Sequence, residues 1–338
     1  MKILHTADWH LGQTFYEYDR REEHFHFLEW LKQQIKQHEI DVLLIAGDVF
    51  DSPNPSAESQ RVYYRFLREV TSENPSLQIV IIAGNHDSAA RLEAPNPLLE
   101  DMNIIVRGTV RRNAEGDIDL QHFIVPLYTE GKVTAYCLAV PYLRQGDYPS
   151  AENYSKGVQQ LYEQLFNKVK EKGIPVVAMG HLQATGSEIS EDDRSERTVI
   201  GGLECVSPDA FNEAITYTAL GHLHRSQRVS HRENVRYSGT PMPMSFAEKN
   251  NASGVVMITI DTEGTNIEKL EFQPLAGLVS IPPEARPLEE VLQVIGELPD
   301  GDVTLRSPYL EIKILMTEPE PSYKYKIEEA LKGKAVRL

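Results

Sequence analysis

The sequence predicts an α/β protein of two sheets flanked by helices, followed by a small α+β unit, and three observations carry that expectation. Short, largely apolar runs, most of them ended by a glycine and a polar cluster, read as buried strands. Amphipathic segments long enough for helices separate them. Past Leu275 this motif stops, while strand and helix patterns continue to alternate to Leu338.

The first run, Lys2 to Thr6, leads into Asp8-Trp9-His10, two ligand-capable side chains one residue apart. Residues 20–39 carry Phe27, Leu28, Leu31 and Ile35 on one helical face, and Val42 to Ala46 follows as a strand bounded by Gly47. This is a β-α-β unit, so a parallel, right-handed crossover is expected. Asp48 then stands past a strand's carboxyl end, where open α/β sheets bind ligands, and Gly47 lets the backbone turn sharply before it. Pro55 to Val70 reads as a helix through Val62, Tyr63, Phe66, Leu67 and Val70, and the strand Gln78 to Ala83 ends in Gly84-Asn85-His86-Asp87.

From Ile104 to Tyr142, short β-rich runs with turns at Gly116 and Glu130-Gly131 imply antiparallel strands and a mixed second sheet. A helix over Ser155 to Lys172 delivers the strand that ends in Gly180-His181, and Thr216 to Leu220 is ended by Gly221-His222-Leu223-His224. Two imidazoles one residue apart in an extended stretch face opposite ways, which suits one ligand for each of two metals. Gln183 to Arg197, with Glu188, Glu191, Asp192 and Asp193, reads as a mobile loop beside the site. Strands at Val235 to Gly239, Val255 to Ile260 and Ile267 to Phe272 complete a first domain over residues 1–275. Residues 276–338 form the second: a strand at Leu278 to Ile281, a helix through Leu288, Val291, Leu292 and Ile295, a strand from Tyr309 to Met316 and a helix from Tyr323 to Leu331. At that size it is expected to lean on the first.

The net charge of −16 argues against wholesale nucleic-acid binding by charge, but not against a local site whose sign bound cations reverse. Cys137 and Cys205 have no paired or ligand-like spacing and read as reduced packing residues, so no structural zinc is implied. No signal-peptide core follows Met1-Lys2 and no apolar run has the length of a membrane span, so a soluble cytoplasmic protein is expected. Without a Gly-x-x-x-x-Gly-Lys-Ser/Thr loop, any dependence on nucleoside triphosphate falls to a partner.

The candidate ligands are Asp8, His10, Asp48, Asn85, His181, His222 and His224, all following short apolar strands. Oxygen and imidazole donors without thiolates favour manganese, iron or magnesium, and an aspartate between two half-sites can bridge a metal pair. Two metals about 3.5 to 4 Å apart stabilise the entering and leaving oxygens of a phosphoryl displacement, so phosphate-ester hydrolysis is the chemistry implied.

Asp8-x-His10, Gly47-Asp48-x-x-Asp51, Gly84-Asn85-His86-Asp87, Gly180-His181 and Gly221-His222-x-His224 together resemble the calcineurin-like metallophosphoesterases. HTADWHLGQ, AGDVFDS, AGNHDS, ALGHLHR and RYSGTPMPMSF narrow the resemblance to the SbcD family of bacterial nuclease subunits. The resemblance implies the two-sheet metallophosphoesterase sandwich, with residues 276–338 as a capping domain that recognises DNA. It implies one metal at Asp8, His10, Asp48 and His224 and another at Asp48, Asn85, His181 and His222, with Mn2+ foremost and Mg2+ or Fe2+ as alternatives. His86 would donate to the scissile phosphate and leaving oxygen without ligating, its ring oriented by the Asp51 carboxylate. The same resemblance implies exonuclease and endonuclease action on DNA ends and hairpins in double-strand-break processing, a homodimer, and an ATPase partner, SbcC. Because no amphipathic helix follows the last strand before Leu338, a chain shortened ahead of the partner-docking helices is expected.

His5 reads as packed within its strand, and His24, His26, His38, His122 and His231 fit no ligand-bearing strand end. Tyr142, Met242 and Met244 read as core, and Arg107, Arg111 and Arg112 as a solvated turn. Two other readings stand beside the nuclease: a metallophosphoesterase of nucleotides or other small esters, and a non-catalytic scaffold that binds DNA ends.

Overall fold

Val42 to Ala46 is buried at every position, and its pleat sends alternate side chains into two different cores. Leu43 and Ile45 face helices through Phe27, Leu31, Tyr63 and Phe66, whereas Val42, Leu44 and Ala46 meet Val177, Met179, Tyr217 and Ala219 from a second sheet. A strand covered on both faces reads as a continuous apolar run, and this accounts for the absence of alternation in its sequence.

The computed structural model describes residues 1–187, 205–316 and 318–338. In chain order, β1 (Lys2–Thr6), the hairpin β2 (Thr14–Phe15) and β3 (Tyr18–Asp19), α1 (Arg21–His38), β4 (Val42–Ala46), α2 (Ala57–Glu73) and β5 (Gln78–Ile82) come first. The short α3 (Ala89–Glu93) and α4 (Asn96–Leu99), β6 (Ile104–Arg107), α5 (Leu120–Phe123), the hairpin β7 (Ile124–Thr129) and β8 (Lys132–Ala139), and α6 (Tyr154–Val169) follow. Then come β9 (Val176–His181), β10 (Tyr217–Gly221), β11 (Gln227–Val229), β12 (Arg232–Tyr237), β13 (Gly254–Ile260) and β14 (Thr265–Glu271). The chain closes with β15 (Leu278–Arg286), α7 (Leu288–Gly296), β16 (Tyr309–Ile314) and α8 (Tyr323–Leu331).

One six-stranded sheet runs β14-β13-β1-β4-β5-β6 and the other β11-β12-β10-β9-β8-β7. β1, β4, β5 and β6 are mutually parallel, as are β8, β9, β10 and β12, so their carboxyl ends point to common edges. Antiparallel β13–β14 and β7–β8 make both sheets mixed. The expected second sheet is present, but Ile104–Arg107 is not part of it: this strand pairs with β5 and extends the first sheet.

Two of the long helices, α2 and α6, begin where a side chain satisfies a free N–H group. Ser56 caps α2 by accepting from Ser59 N–H, and Asn153 caps α6 by accepting from Lys156 N–H. α6 lays Val158, Leu161 and Leu165 on the outer face of the second sheet. The flanked two-sheet sandwich is therefore as expected. Among the described residues no helix is long and apolar enough to cross a membrane.

Residues 278–338 have a small core of their own in Ile281, Val291, Ile295, Leu310, Ile327 and Val336, around the parallel pair β15–β16. Tyr309 packs with Phe15 and Ala276, and its hydroxyl donates to Glu23 at 2.6 Å. That buried carboxylate also receives Arg20 at 2.9 Å, so the first turn of α1 anchors the carboxyl-terminal unit.

Candidate metal centre

The carboxyl ends of β1, β4, β9 and β10 converge where the two sheets meet. Asp8 N–H donates to Gly47 O, His10 N–H to Asp48 O, and His222 N–H to an Asp8 carboxylate oxygen at 3.0 Å. Asp8, His10, Asp48 and His222 all hold positive φ, at 55°, 46°, 48° and 101°, in a region costly for side chains other than glycine. His222 is accordingly not in an extended stretch, and the alternation expected there does not apply. The two imidazoles nevertheless part, His222 toward Asn85 and His224 toward Glu248.

The glycines serve two purposes. Gly47, at φ 93°, turns the backbone as expected. Gly47 also provides space, since a Cβ there would stand 2.2 Å from His181 Nδ1, and so do Gly84 and Gly221, where a Cβ would stand 2.1 Å from Asp48 Oδ1 and 1.9 Å from Ala46 O.

Every residue proposed from sequence reaches this edge. His181 Nε2 lies 2.9 Å from Asn85 Oδ1 and 3.3 Å from Asp48 Oδ2, and His222 Nδ1 is 3.0 Å from the same Asn85 oxygen. On the other side the His10 ring is 4.8 Å from that of His86 and 5.2 Å from that of His224. Asp48 Oδ2 lies between the groups, 3.7 Å from His10 Nε2. Ligand atoms of Asp8, His10 and His224, of His10, Asp48 and His86, and of Asp8, Asp48 and His181 each fall within 4.8 Å of one another.

The donor set fits divalent cations on two grounds. Asp8 Oδ2, His10 Nε2 and Asp48 Oδ2 are buried without a hydrogen-bond partner, although such atoms are ordinarily satisfied. His181 Nδ1 must donate to the Ala46 carbonyl at 2.8 Å, so in the neutral ring Nε2 turns a lone pair toward two oxygens. A cation between them removes that repulsion. Electrostatics agree: burial disfavours a charged His181, yet Asp48 and Asp8 outweigh it and raise its pKa to about 10. Burial raises Asp8 to about 6, against the pull of His181 and His224. The pocket demands positive charge.

The Asp51 role needs correction. His86 Nδ1 is 2.9 Å from the Asp51 main-chain carbonyl, whereas the Asp51 carboxylate lies 3.3 Å from His10 Nδ1. His86 also donates its N–H to Asp48 Oδ1 at 2.8 Å. The carbonyl orients one ring and the side chain the other, a division that residue spacing could not reveal.

Two supports are invisible to the sequence reading. Asp87, part of a motif but without a role there, is buried and accepts from Val49, Phe50 and Gly84 N–H, which pins the Asp48 loop to the Asn85 loop. Glu248 lies 3.0 Å from His224 Nδ1, across 24 residues of sequence. An acidic residue beside the apolar PMPMSF stretch is the only signal.

His5 is buried against the Tyr217 hydroxyl and Met242 is core, as expected, whereas Tyr142 is not core: it is half-buried with its ring 6.2 Å from that of His181. Arg107 and Arg111 are not simply solvated: they bind the His122 carbonyl and Glu93, while Arg112 binds the carbonyls of Gly116 and Gly146. Glu188, Glu191, Asp192 and Asp193 lie outside the described residues.

The family of calcineurin-like phosphoesterases matches residues 1–226. The SbcD subunit of the nuclease SbcCD from Rhodobacter capsulatus is 36% identical, with 100% of this chain and 86% of that protein covered. The Escherichia coli K12 protein of the same name is 32% identical over 82% of this chain and 70% of its own length. That of Bacillus subtilis is 30% identical over 76% of this chain and 66% of its own.

Proposed function

The chain belongs to the calcineurin-like phosphoesterases and, within them, to the family of SbcD subunits of the nuclease SbcCD, and we propose that it is a metal-dependent nuclease hydrolysing DNA phosphodiesters at ends and hairpins. The observation that carries this is the convergence of carboxylates and imidazoles from both sheets on one edge, with Asp8 Oδ2, His10 Nε2 and Asp48 Oδ2 buried and unsatisfied there. Asp8, His10, Asp48 and His224 would hold one ion, and Asp48, Asn85, His181 and His222 the other, with Mn2+ the first choice. Bound there, the pair supplies charge for both oxygens of an in-line displacement and a hydroxide near neutral pH.

The chain's own residues do the rest. Asp48 shares one oxygen between the two groups, which holds them at a fixed spacing. Asn85 presents its carbonyl oxygen to His181 and His222. His86, with Nδ1 held by the Asp51 carbonyl, has Nε2 left to donate to the scissile phosphate and leaving oxygen. Asp51 braces His10. Residues 276–338 act in this reading as a separate capping domain over the DNA, in a homodimer that works in the cytoplasm with the ATPase partner SbcC in double-strand-break processing.

The test compares Mn2+-dependent cleavage of single-stranded DNA, linear duplex DNA and a small phosphomonoester by the isolated chain. Cleavage is expected mostly on single strands or frayed ends, with both exonucleolytic and endonucleolytic products, and chelator should abolish it. Hydrolysis of the monoester alone would remove the nuclease reading.

A further inference from the structure

We propose that Glu248 is the positioning residue of His224 and that the turn carrying it ties this imidazole to the carboxyl-terminal unit; the inference rests on the metal-centre reading above. Glu248 is 1% exposed, with both carboxylate oxygens committed: Oε1 faces His224 Nδ1 at 3.0 Å and Oε2 accepts Met244 N–H at 2.8 Å. A carboxylate on Nδ1 fixes both the tautomer and the rotation of the ring, so that Nε2 is presented toward Asp8 and His10. Burying a carboxylate is costly, and an apolar side chain would fill the same space without that cost. The acid is placed for what it holds.

Its turn, Phe246–Glu248, is clamped from the far side. The Phe246 ring is 5.5 Å from that of Phe15, which lies 4.8 Å from Tyr309. Lys249 donates to Ser280 in β15 at 2.7 Å, and Ser280 to Glu311 in β16 at 2.6 Å. A shift of the carboxyl-terminal unit therefore reaches His224 through one turn, whereas His181 is braced within the sandwich by Ala46 O.

Calorimetric titration of the metal-free chain with Mn2+ tests this. The parent is expected to show two sites. Glu248→Gln, which is isosteric and keeps an oxygen acceptor, should weaken one of them about 10-fold, and Glu248→Ala should approach about 100-fold, with the other site unchanged. The melting temperature of the Gln variant in chelator should equal the parent's, which separates positioning from general stability. Lys249→Ala should weaken the same site by a smaller factor. A Gln variant that binds both ions as the parent does overturns the inference, whether or not the alanine variant folds. An unaffected Lys249→Ala overturns the tie to the carboxyl-terminal unit, and a parent that takes up no metal overturns the proposed function together with this inference.

Discussion

The two sheets contribute unlike halves to one site. The first delivers anions as well as imidazole, Asp8, Asp48 and His10, with Asn85 and His86 beside them, on loops that need left-handed backbone and are fastened by main-chain bonds and by Asp87. The second delivers only imidazoles, His181, His222 and His224, and two of these have Nδ1 held by an acceptor from elsewhere, Ala46 O and Glu248. One half carries the charge that needs cations, and the other carries imidazoles that must be aimed. Changes in the first should remove metal outright, and changes in the supports of the second should grade its affinity.

The largest effect is expected from Asp48→Asn, which discharges the oxygen shared between both groups: metal content and DNA cleavage should fall together. His86→Gln should lie apart from it, keeping both metals and near-parent DNA affinity while losing about 10²- to 10⁴-fold in single-turnover rate, the usual scale for a positioned acid. Metal analysis of that variant is decisive, because its ring stands within ligand distance of His10 and Asp48; loss of an ion would make His86 a ligand. Asp51→Ala should separate the two bonds made by that residue. Its carbonyl still holds His86, so the expected outcome is metal binding weakened about 10-fold with a smaller loss of rate at saturating Mn2+. A rate loss equal to that of His86→Gln, at saturating metal, would restore the carboxylate to the role that the family resemblance implies for it.

This contrast also explains what could be read from sequence. Each ligand follows a buried strand directly, so an apolar run, a glycine and a polar residue are contiguous and visible. The supports are not contiguous. Glu248 meets His224 only because the chain returns through Pro243 and Met244 to the same edge, and the Asp51 side chain and carbonyl serve different histidines only because of a backbone turn. The sequence pattern puts β6 in the wrong sheet for a related reason: Ile104–Arg107 reads as a strand, but its partner β5 is fixed by the intervening short helices, which have too few residues for periodicity to show.

Fastening in the first half should appear as stability. Asp87→Ala leaves three buried N–H groups of two loops without an acceptor, so chemical denaturation should show a loss of about 3 kcal/mol or more. A loss below about 1 kcal/mol would mean that water replaces the carboxylate. A pH-dependent effect of comparable size is expected from His24, beneath the same half, whose Nε2 meets the Trp9 carbonyl at 3.1 Å. Burial, aided by Arg20, lowers its pKa from 6.5 to about 4. The unfolded chain then takes up the proton first, so its share of stability is complete above pH 6.5 and is lost as pH falls toward 4, by up to about 1.4 kcal/mol per unit. In chelator, His24→Gln should flatten that slope relative to the parent; an identical slope would show that His24 is already charged when folded.

The central claim is that the two halves close around two ions. Metal-free protein equilibrated with excess Mn2+, freed of unbound ion and analysed for metal per chain should hold two, and Asp48→Asn should lose both. One ion per parent chain, or a variant that keeps two, would contradict an aspartate shared between the sheets.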